Sequence, residues 1–276
     1  ARAPREWSRW TKGVIEAGTM LPLSSKSGTG HPSLALSGII PGVREVFLAG
    51  SRSRGTQLHS HHDTDLFVVL HEQSRGRLYR RGPDECLRAL QSAVAPACAD
   101  GVRVRLQNRS LGLLAPEGRG DCDLVFAFRH PWRRGIYFIP DRALDRWILS
   151  SPGAQRRANH DAGHRTGGAI NPLIRAVKQW NLCHGKPLKS FHLEAMVYRA
   201  FEAPPRDGRS ALIALFDHLM RAIERPCPDP GGVGLSVDEH VTDTLRSRAR
   251  RLLAEARSSL EAECLPWNCE TNWRLS

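Results

Sequence analysis

An α+β fold in two parts is what this chain of 276 residues predicts, with a mixed sheet and few helices over residues 1–150 and an all-helical part over residues 151–276. Three observations predict it. Short apolar runs bounded by turn residues fill the first half, some alternating with charge, as strands require. Beyond about Pro140 they give way to apolar residues spaced by three and four, the period of a helix face. Two of the early apolar runs open on aspartates, at Asp63-Thr64-Asp65 and Asp121-Cys122-Asp123.

Taken in order, Trp7 to Ala17 carries a partial apolar stripe (Trp10, Val14, Ile15) that fits a short helix, and Leu21 to Ser33 reads as a loop. Leu34 to Ile40 is a weak helix or lead-in stopped by Pro41-Gly42. Val43 to Ala49 is the first strand, and Leu66 to Leu70 the apolar body of the second. The basic stretch Gln73 to Gly82 reads as a loop. Pro83 to Ala95 predicts a helix: Pro in the first turn, Asp84 and Glu85 near its positive end, and Cys86, Leu87, Leu90 and Val94 on one face. Val102 to Leu106 alternates as a half-exposed strand, Gly112 to Gly120 reads as a turn region, and Asp121 to Phe128 is a strand. Ile136 to Ile139 is a short apolar piece ended by Pro140, and Pro152 to Gly168 reads as irregular. Helices follow over Pro172 to Cys183, Ser190 to Phe201, Ala211 to Ile223 and Val237 to Glu263.

Composition narrows the class without naming it. Apolar residues at 41% and charged residues at 25% are ordinary for a globular protein, and no apolar run approaches the length of a membrane span. The polar, basic, Trp-containing start does not read as a signal peptide, so a cytoplasmic setting with no membrane partner is expected. Seven cysteines without a Cys-x-x-Cys pair fit neither a disulfide framework nor a zinc ribbon. Lys and Arg number 40 against 28 Asp and Glu, a net charge of +12, which favours polyanionic partners: nucleic acid, nucleotides or an acidic membrane surface. The basic residues are spread along the chain, so the surplus fits an Arg-rich solvated surface equally well.

The chemistry concentrates between Val46 and Leu70. A strand ends at Gly50-Ser51, Gly55-Thr56 follows, and eleven residues separate Ser51 from Asp63. A reversal after Gly50 would present backbone N–H groups to an anion, and the Ser51 hydroxyl could join them. Asp63 and Asp65, at i and i+2 on a strand, share one face and suit Mg²⁺, a hard ion that takes one or two carboxylates plus phosphate oxygens. Mn²⁺ would serve the same ligands. Two-metal phosphoryl transfer needs a further carboxylate. Asp123, directly abutting Leu124 to Phe128 as Asp65 abuts Leu66 to Leu70, is the candidate on an adjacent strand; Asp121 competes, but follows Gly118-Arg119-Gly120 and fits the turn better.

These residues resemble the polymerase-β-like nucleotidyltransferases, whose mark is Gly-Ser, Asp-x-Asp on one strand and a third Asp on a neighbouring one. Within that superfamily the chain is similar to the cGAS/DncV-like nucleotidyltransferases (CD-NTases) of bacterial anti-phage signalling, relatives of 2′-5′-oligoadenylate synthetase. GSRSRGT (50–56), DTDLFVVL (63–70), DLVFAF (123–128), IRAVKQWN (174–181) and PLKSFHLEAMV (187–197) carry the resemblance, which extends over about residues 40 to 265. Phe126 stands where the family often has Pro, and the chain is short for the family. The resemblance implies a nucleotidyltransferase core with a C-terminal helical lobe closing over the nucleotide. It implies metal and catalytic roles for Asp63, Asp65 and Asp123, and contacts from Gly50, Ser51, Lys178 and Ser190 to the donor triphosphate. ATP, GTP or other nucleoside triphosphates would be the substrates, a cyclic di- or trinucleotide the product, and effector or regulator proteins of a defence operon the partners.

Without the resemblance, Lys178 is a helix Lys and Ser190 a helix N-cap. Lys189 and His192 are weaker candidates for the same contacts. His59, His61 and His62 suit a solvated loop better than a metal, as do His160 and His164. Competing functions are template-independent addition of nucleotides to tRNA or other RNA, transfer to a protein or small molecule, and non-catalytic nucleotide binding.

Overall fold

The computed structural model describes residues 39–40, 42–58, 64–98, 101–114 and 121–262, which form two compact units. The expectations for the N-terminal helix and loop, for Asp63, for His59, His61 and His62, and for Cys264 and Cys269 lie outside the described residues. The first unit runs to Ser53 and resumes after the second unit's insertion, up to Ser150; the second comprises Arg54–Leu58 and the chain from Ser151 onward.

The first unit is built on a seven-stranded mixed sheet: β1 (Val43–Leu48), β2 (Thr64–Leu70), β3 (Arg103–Leu106), β4 (Leu111–Leu114), β5 (Cys122–Arg129), β6 (Tyr137–Asp141) and β7 (Arg146–Ser150). The order is β1-β2-β5-β4-β3, with β6 joining the far end of β5 and β7 completing that edge. Among the described strands only β2 and β5 are parallel; the other pairs are antiparallel. The helices here are the single turn α1 (Gly50–Arg54), α2 (Glu72–Leu78), whose end tightens into a 3₁₀ turn at Tyr79–Arg81, and α3 (Pro83–Val94).

Period-two alternation decides what each sheet face carries. Leu66, Val68 and Leu70 of β2 and Cys122, Leu124, Phe126 and Phe128 of β5 join Cys86, Leu87, Leu90 and Val94 of α3 in one core. The intervening residues, beginning with Asp65 on β2 and Asp123 on β5, therefore occupy the opposite face. Phe47, Phe67 and Tyr137 pack together, with the Phe67 ring 5.1 Å from each of the other two. Phe126, in the position where a Pro was expected, is a fully buried core residue on a continuous central strand.

The second unit is helical: α4 (Pro152–Arg165), α5 (Ile170–Cys183), α6 (Ser190–Val197), α7 (Gly208–Ala222) and α8 (Asp243–Glu261). Its core joins Ile174, Val177 and Trp180 of α5 to Leu193 and Val197 of α6, Leu215 and Leu219 of α7, and Leu253 and Leu260 of α8. The mixed sheet followed by helices is the α+β class expected.

Four local expectations are corrected. Residues 112–114 belong to β4 rather than a turn, because Leu111 and Leu113 are fully buried and Gly112 pairs with Asp123. Gln73 to Leu78 is helical despite its charge, burying only Ser74 and Leu78. Residues 152–165 form a helix whose buried face is merely Asn159 and Ala162, so no apolar stripe announces it. Pro152 at its first turn is the one sequence sign. The apolar piece at residue 136 continues through Pro140 as β6 and is followed by an unexpected β7.

Candidate active site

Parallel pairing of β2 with β5 matches Asp65 to Asp123, Leu66 to Leu124 and onward to Leu70 against Phe128 without a slip. Partners in a parallel ladder point to the same face, and adjacent strands lie about 4.8 Å apart. Two carboxylates from segments separated by more than fifty residues are thereby placed side by side at the head of the central strands. Asp121 precedes β5 and contributes its carbonyl, which accepts from Thr64 N at 3.0 Å.

The chain enters this face through Gly50. Its φ of +61° lies in the left-handed region that costs L-residues with a Cβ. A Cβ at Gly50 would also lie 1.6 Å from Asp65 Oδ2 and 2.9 Å from Asp65 Cβ, so only bare backbone fits there. Ala49 N donates to the Asp65 carbonyl at 2.8 Å, tying the two segments together. Ser53 Oγ donates to Gly50 O at 2.9 Å, and Arg52 Nη1 to Thr64 Oγ1 at 2.7 Å. Ser51 sits half-buried in this same turn. The expected reversal after Gly50 is thus one helical turn, laid against a carboxylate.

Asp123 is held from the other side. Gln107 Nε2 donates to Asp123 Oδ1 at 2.8 Å, and Ser110 Oγ donates to Gln107 Oε1 at 2.7 Å. The negative field at the strand heads shows in Cys122: burial pushes its thiol well up, and the charges of Asp123, Asp65 and Asp121 push it further.

In the helical unit, Lys178 and Ser190 take up different positions. Lys178 is buried, its Nζ donating to Glu194 Oε1 at 3.0 Å and to the Thr56 carbonyl at 2.8 Å. Glu194 also accepts from Arg54 Nε at 2.9 Å, Thr56 Oγ1 at 3.0 Å and Tyr198 Oη at 3.2 Å. Burial alone would raise the Glu194 carboxyl, but the charges and hydrogen bonds of Arg54 and Lys178 outweigh it and hold the group below its ordinary value. Asn171 Nδ2 and Arg175 Nη1 add bonds to the carbonyls of Arg54 and Gly55. The segment Arg54–Leu58, directly after the Gly-Ser turn, is therefore anchored to α5 and α6. Ser190 is exposed in the first turn of α6, and Lys189 rather than Ser190 occupies the N-cap position, correcting the capping expectation. Lys189 is exposed, whereas His192 is buried, and neither of its ring nitrogens has a hydrogen-bond partner among the described residues. His160 and His164 are exposed on α4.

Sequence reasoning missed Glu194, Arg54, Thr56 and Gln107. A carboxylate amid Phe191, Leu193, Ala195, Met196 and Val197 was a legible signal for Glu194, since a buried charge demands partners. Nothing local marks Gln107; only strand pairing brings it to Asp123.

As a metal site, the described residues offer Asp65 and Asp123, hard oxygen donors of the kind Mg²⁺ prefers, and the donor chemistry fits. Among the described residues no cluster of three or more His, Cys, Asp or Glu could hold a metal ion by itself. No helix among them is long and apolar enough to cross a membrane.

No protein-family model and no curated protein sequence matches the chain. Solved structures do. The CdnE cyclic dinucleotide synthase of Elizabethkingia meningoseptica, with GTP and Apcpp, matches at TM-score 0.66 and 13% identity, over 94% of this chain and 99% of that one. The CD-NTase CdnG of Bradyrhizobium diazoefficiens, in complex with GTP, matches at TM-score 0.69 and 15% identity, over 95% and 88%. Vibrio cholerae DncV, a cyclic AMP-GMP synthase with its linear intermediate, matches at TM-score 0.64 and 14% identity, over 79% and 63%. The chain has the fold of these CD-NTases.

Proposed function

We propose that this chain is a CD-NTase: a Mg²⁺-dependent nucleotidyltransferase that joins nucleoside triphosphates, ATP or GTP among them, into a cyclic di- or trinucleotide signal of anti-phage defence. One observation carries the reading. The in-register carboxylates Asp65 and Asp123, with the bare backbone of Gly50 against the first, occupy a fold shared with solved cyclic dinucleotide synthases.

Asp65, together with Asp63, and Asp123 would hold Mg²⁺, which when bound supplies charge neutralisation at the reacting phosphate. Gly50 and Ser51 would lie along the triphosphate and offer it backbone N–H groups, while the absence of a side chain at Gly50 lets Asp65 lie against the same turn. Asp123 would orient the acceptor ribose hydroxyl toward the α-phosphorus, from which pyrophosphate departs. Positioning and charge stabilisation by preset groups would supply most of the acceleration. In this scheme Lys178 fastens the segment Arg54–Leu58 through Thr56 and Glu194, and any contact it makes with phosphate is added to that duty. Ser190, exposed on α6, keeps its hydroxyl available for the donor.

The test is incubation with labelled nucleoside triphosphates and Mg²⁺, followed by phosphatase and chromatography, with Asp65→Ala and Asp123→Ala as controls. Phosphatase-resistant small products that both substitutions abolish are expected. Label appearing only in added tRNA or protein would transfer the site to one of the competing acceptors.

A further inference from the structure

The third carboxylate is not left to find its own orientation. Gln107 begins the short connection between β3 and β4, and its amide is locked at both ends: Oε1 accepts from Ser110 Oγ at 2.7 Å, which leaves Nε2 to donate to Asp123 Oδ1 at 2.8 Å. The amide cannot be reversed without setting its oxygen against the Asp123 carboxylate.

The connection is itself staked down. Gln107 N donates to Ser110 O at 3.0 Å, and Arg142 N donates to Asn108 O at 3.0 Å. Asn108 Nδ2 and Arg109 Nε donate to Asp141 at 3.1 and 2.7 Å, and Arg142 Nη1 reaches Gln107 O at 3.2 Å. Room for the amide is made by Gly112, the β4 residue paired with Asp123; a Cβ there would lie 2.5 Å from Gln107 Nε2 and 3.2 Å from Asp123 Oδ1.

We propose that Gln107 is a positioning residue of the catalytic centre: it fixes the rotamer of Asp123 by holding Oδ1, so that the carboxylate is preset for metal. This rests on the proposed nucleotidyltransferase reading. Two adjacent carboxylates repel, and an amide donor on Oδ1 limits the rotamers that Asp123 can adopt in response. Gln suits the task because it donates a hydrogen bond without a charge that would compete with the metal.

The test measures Mn²⁺ binding by electron paramagnetic resonance, with a non-hydrolysable ATP analogue present, alongside product formation and thermal unfolding. The proteins are the wild type, Gln107→Leu, Gln107→Glu, Asp123→Asn and the double variant Gln107→Leu/Asp123→Asn. Outer-shell partners of metal ligands are worth about 10- to 100-fold in affinity. Gln107→Leu is expected to weaken Mn²⁺ binding by that order with little change in melting temperature. Gln107→Glu, which keeps the Ser110 contact but sets a carboxylate against Asp123, is expected to weaken it further. In the Asp123→Asn background, Gln107→Leu is expected to add nothing. Undiminished Mn²⁺ binding by both Gln107 variants, while Asp123→Asn loses it, would overturn the positioning role alone. So would an equal effect of Gln107→Leu in both backgrounds. Full Mn²⁺ binding and product formation by Asp123→Asn would instead overturn the reading of the site.

Discussion

Gly50 and Asp65 approach so closely that a single added methyl would lie 1.6 Å from the Asp65 carboxylate oxygen. The contact joins the end of β1 to the head of β2 and lays the Asp65 side chain against bare backbone. It also makes Gly50 the most discriminating position at which to test the site.

Gly50→Ala is expected to cut nucleotidyl transfer by about 100-fold, the scale of displacing a reacting group by about an ångström. The left-handed φ adds a folding cost of about 1–2 kcal/mol. Product formation and thermal unfolding measured together separate the two effects. Near-wild-type activity would show that Asp65 can shift without consequence.

Asp65→Asn and Asp123→Asn should separate stability from activity. Like charges placed opposite each other on neighbouring strands are destabilising. Each substitution is therefore expected to raise the melting temperature slightly without metal, while lowering turnover by about 100- to 1,000-fold, the worth of several kcal/mol of metal-assisted stabilisation. A lower melting temperature in both variants would contradict the repulsion.

Glu194→Gln would leave Arg54 and Lys178 buried without their counter-charge. A loss of about 3–5 kcal/mol is expected from breaking such a buried group of charges, read by urea or thermal unfolding. Because segment 54–58 directly follows the Gly-Ser turn, activity in the surviving folded fraction is expected to fall as well.

Acid should weaken the helical unit in two stages. Burial lowers the His192 imidazole to about 4, so the native state resists its protonation. Stability tied to His192 is full above its unfolded value near 6.5 and drains away as pH falls toward 4, by no more than about 3 kcal/mol. Glu194, also held below its ordinary value, contributes stability above about pH 4.5 that is lost only in stronger acid. His192→Leu is expected to flatten the stability profile between pH 6.5 and 4 and leave the lower limb intact. An unchanged slope in that window would rule His192 out as its cause.

Thiol reactivity offers an independent check on burial. Cys183 is exposed, whereas Cys86 is buried with its thiol pushed up to about 12. Alkylation under native conditions, read by peptide mapping, is expected to modify Cys183 well before Cys86 or Cys122.

The sequence by itself determined much of this protein. Short apolar runs marked β1, β2 and β5, alternation with Arg marked β3, periods of three and four marked α3, α5 and α7, and Gly50 with the aspartates marked one chemical neighbourhood. These are local signals, written in neighbours a few residues apart. Where the local signal was poor it misled: α4 buries two residues and shows no stripe, and β4 hides behind a glycine whose reason is its partner strand. Tertiary structure alone decided that Asp65 and Asp123 share a register, that Gln107 reaches Asp123, and that Glu194 gathers Arg54 across 140 residues of chain. The physical reason is that a buried carboxylate is satisfied by whichever donors folding brings to it, and those donors carry no mark of that duty in their own surroundings.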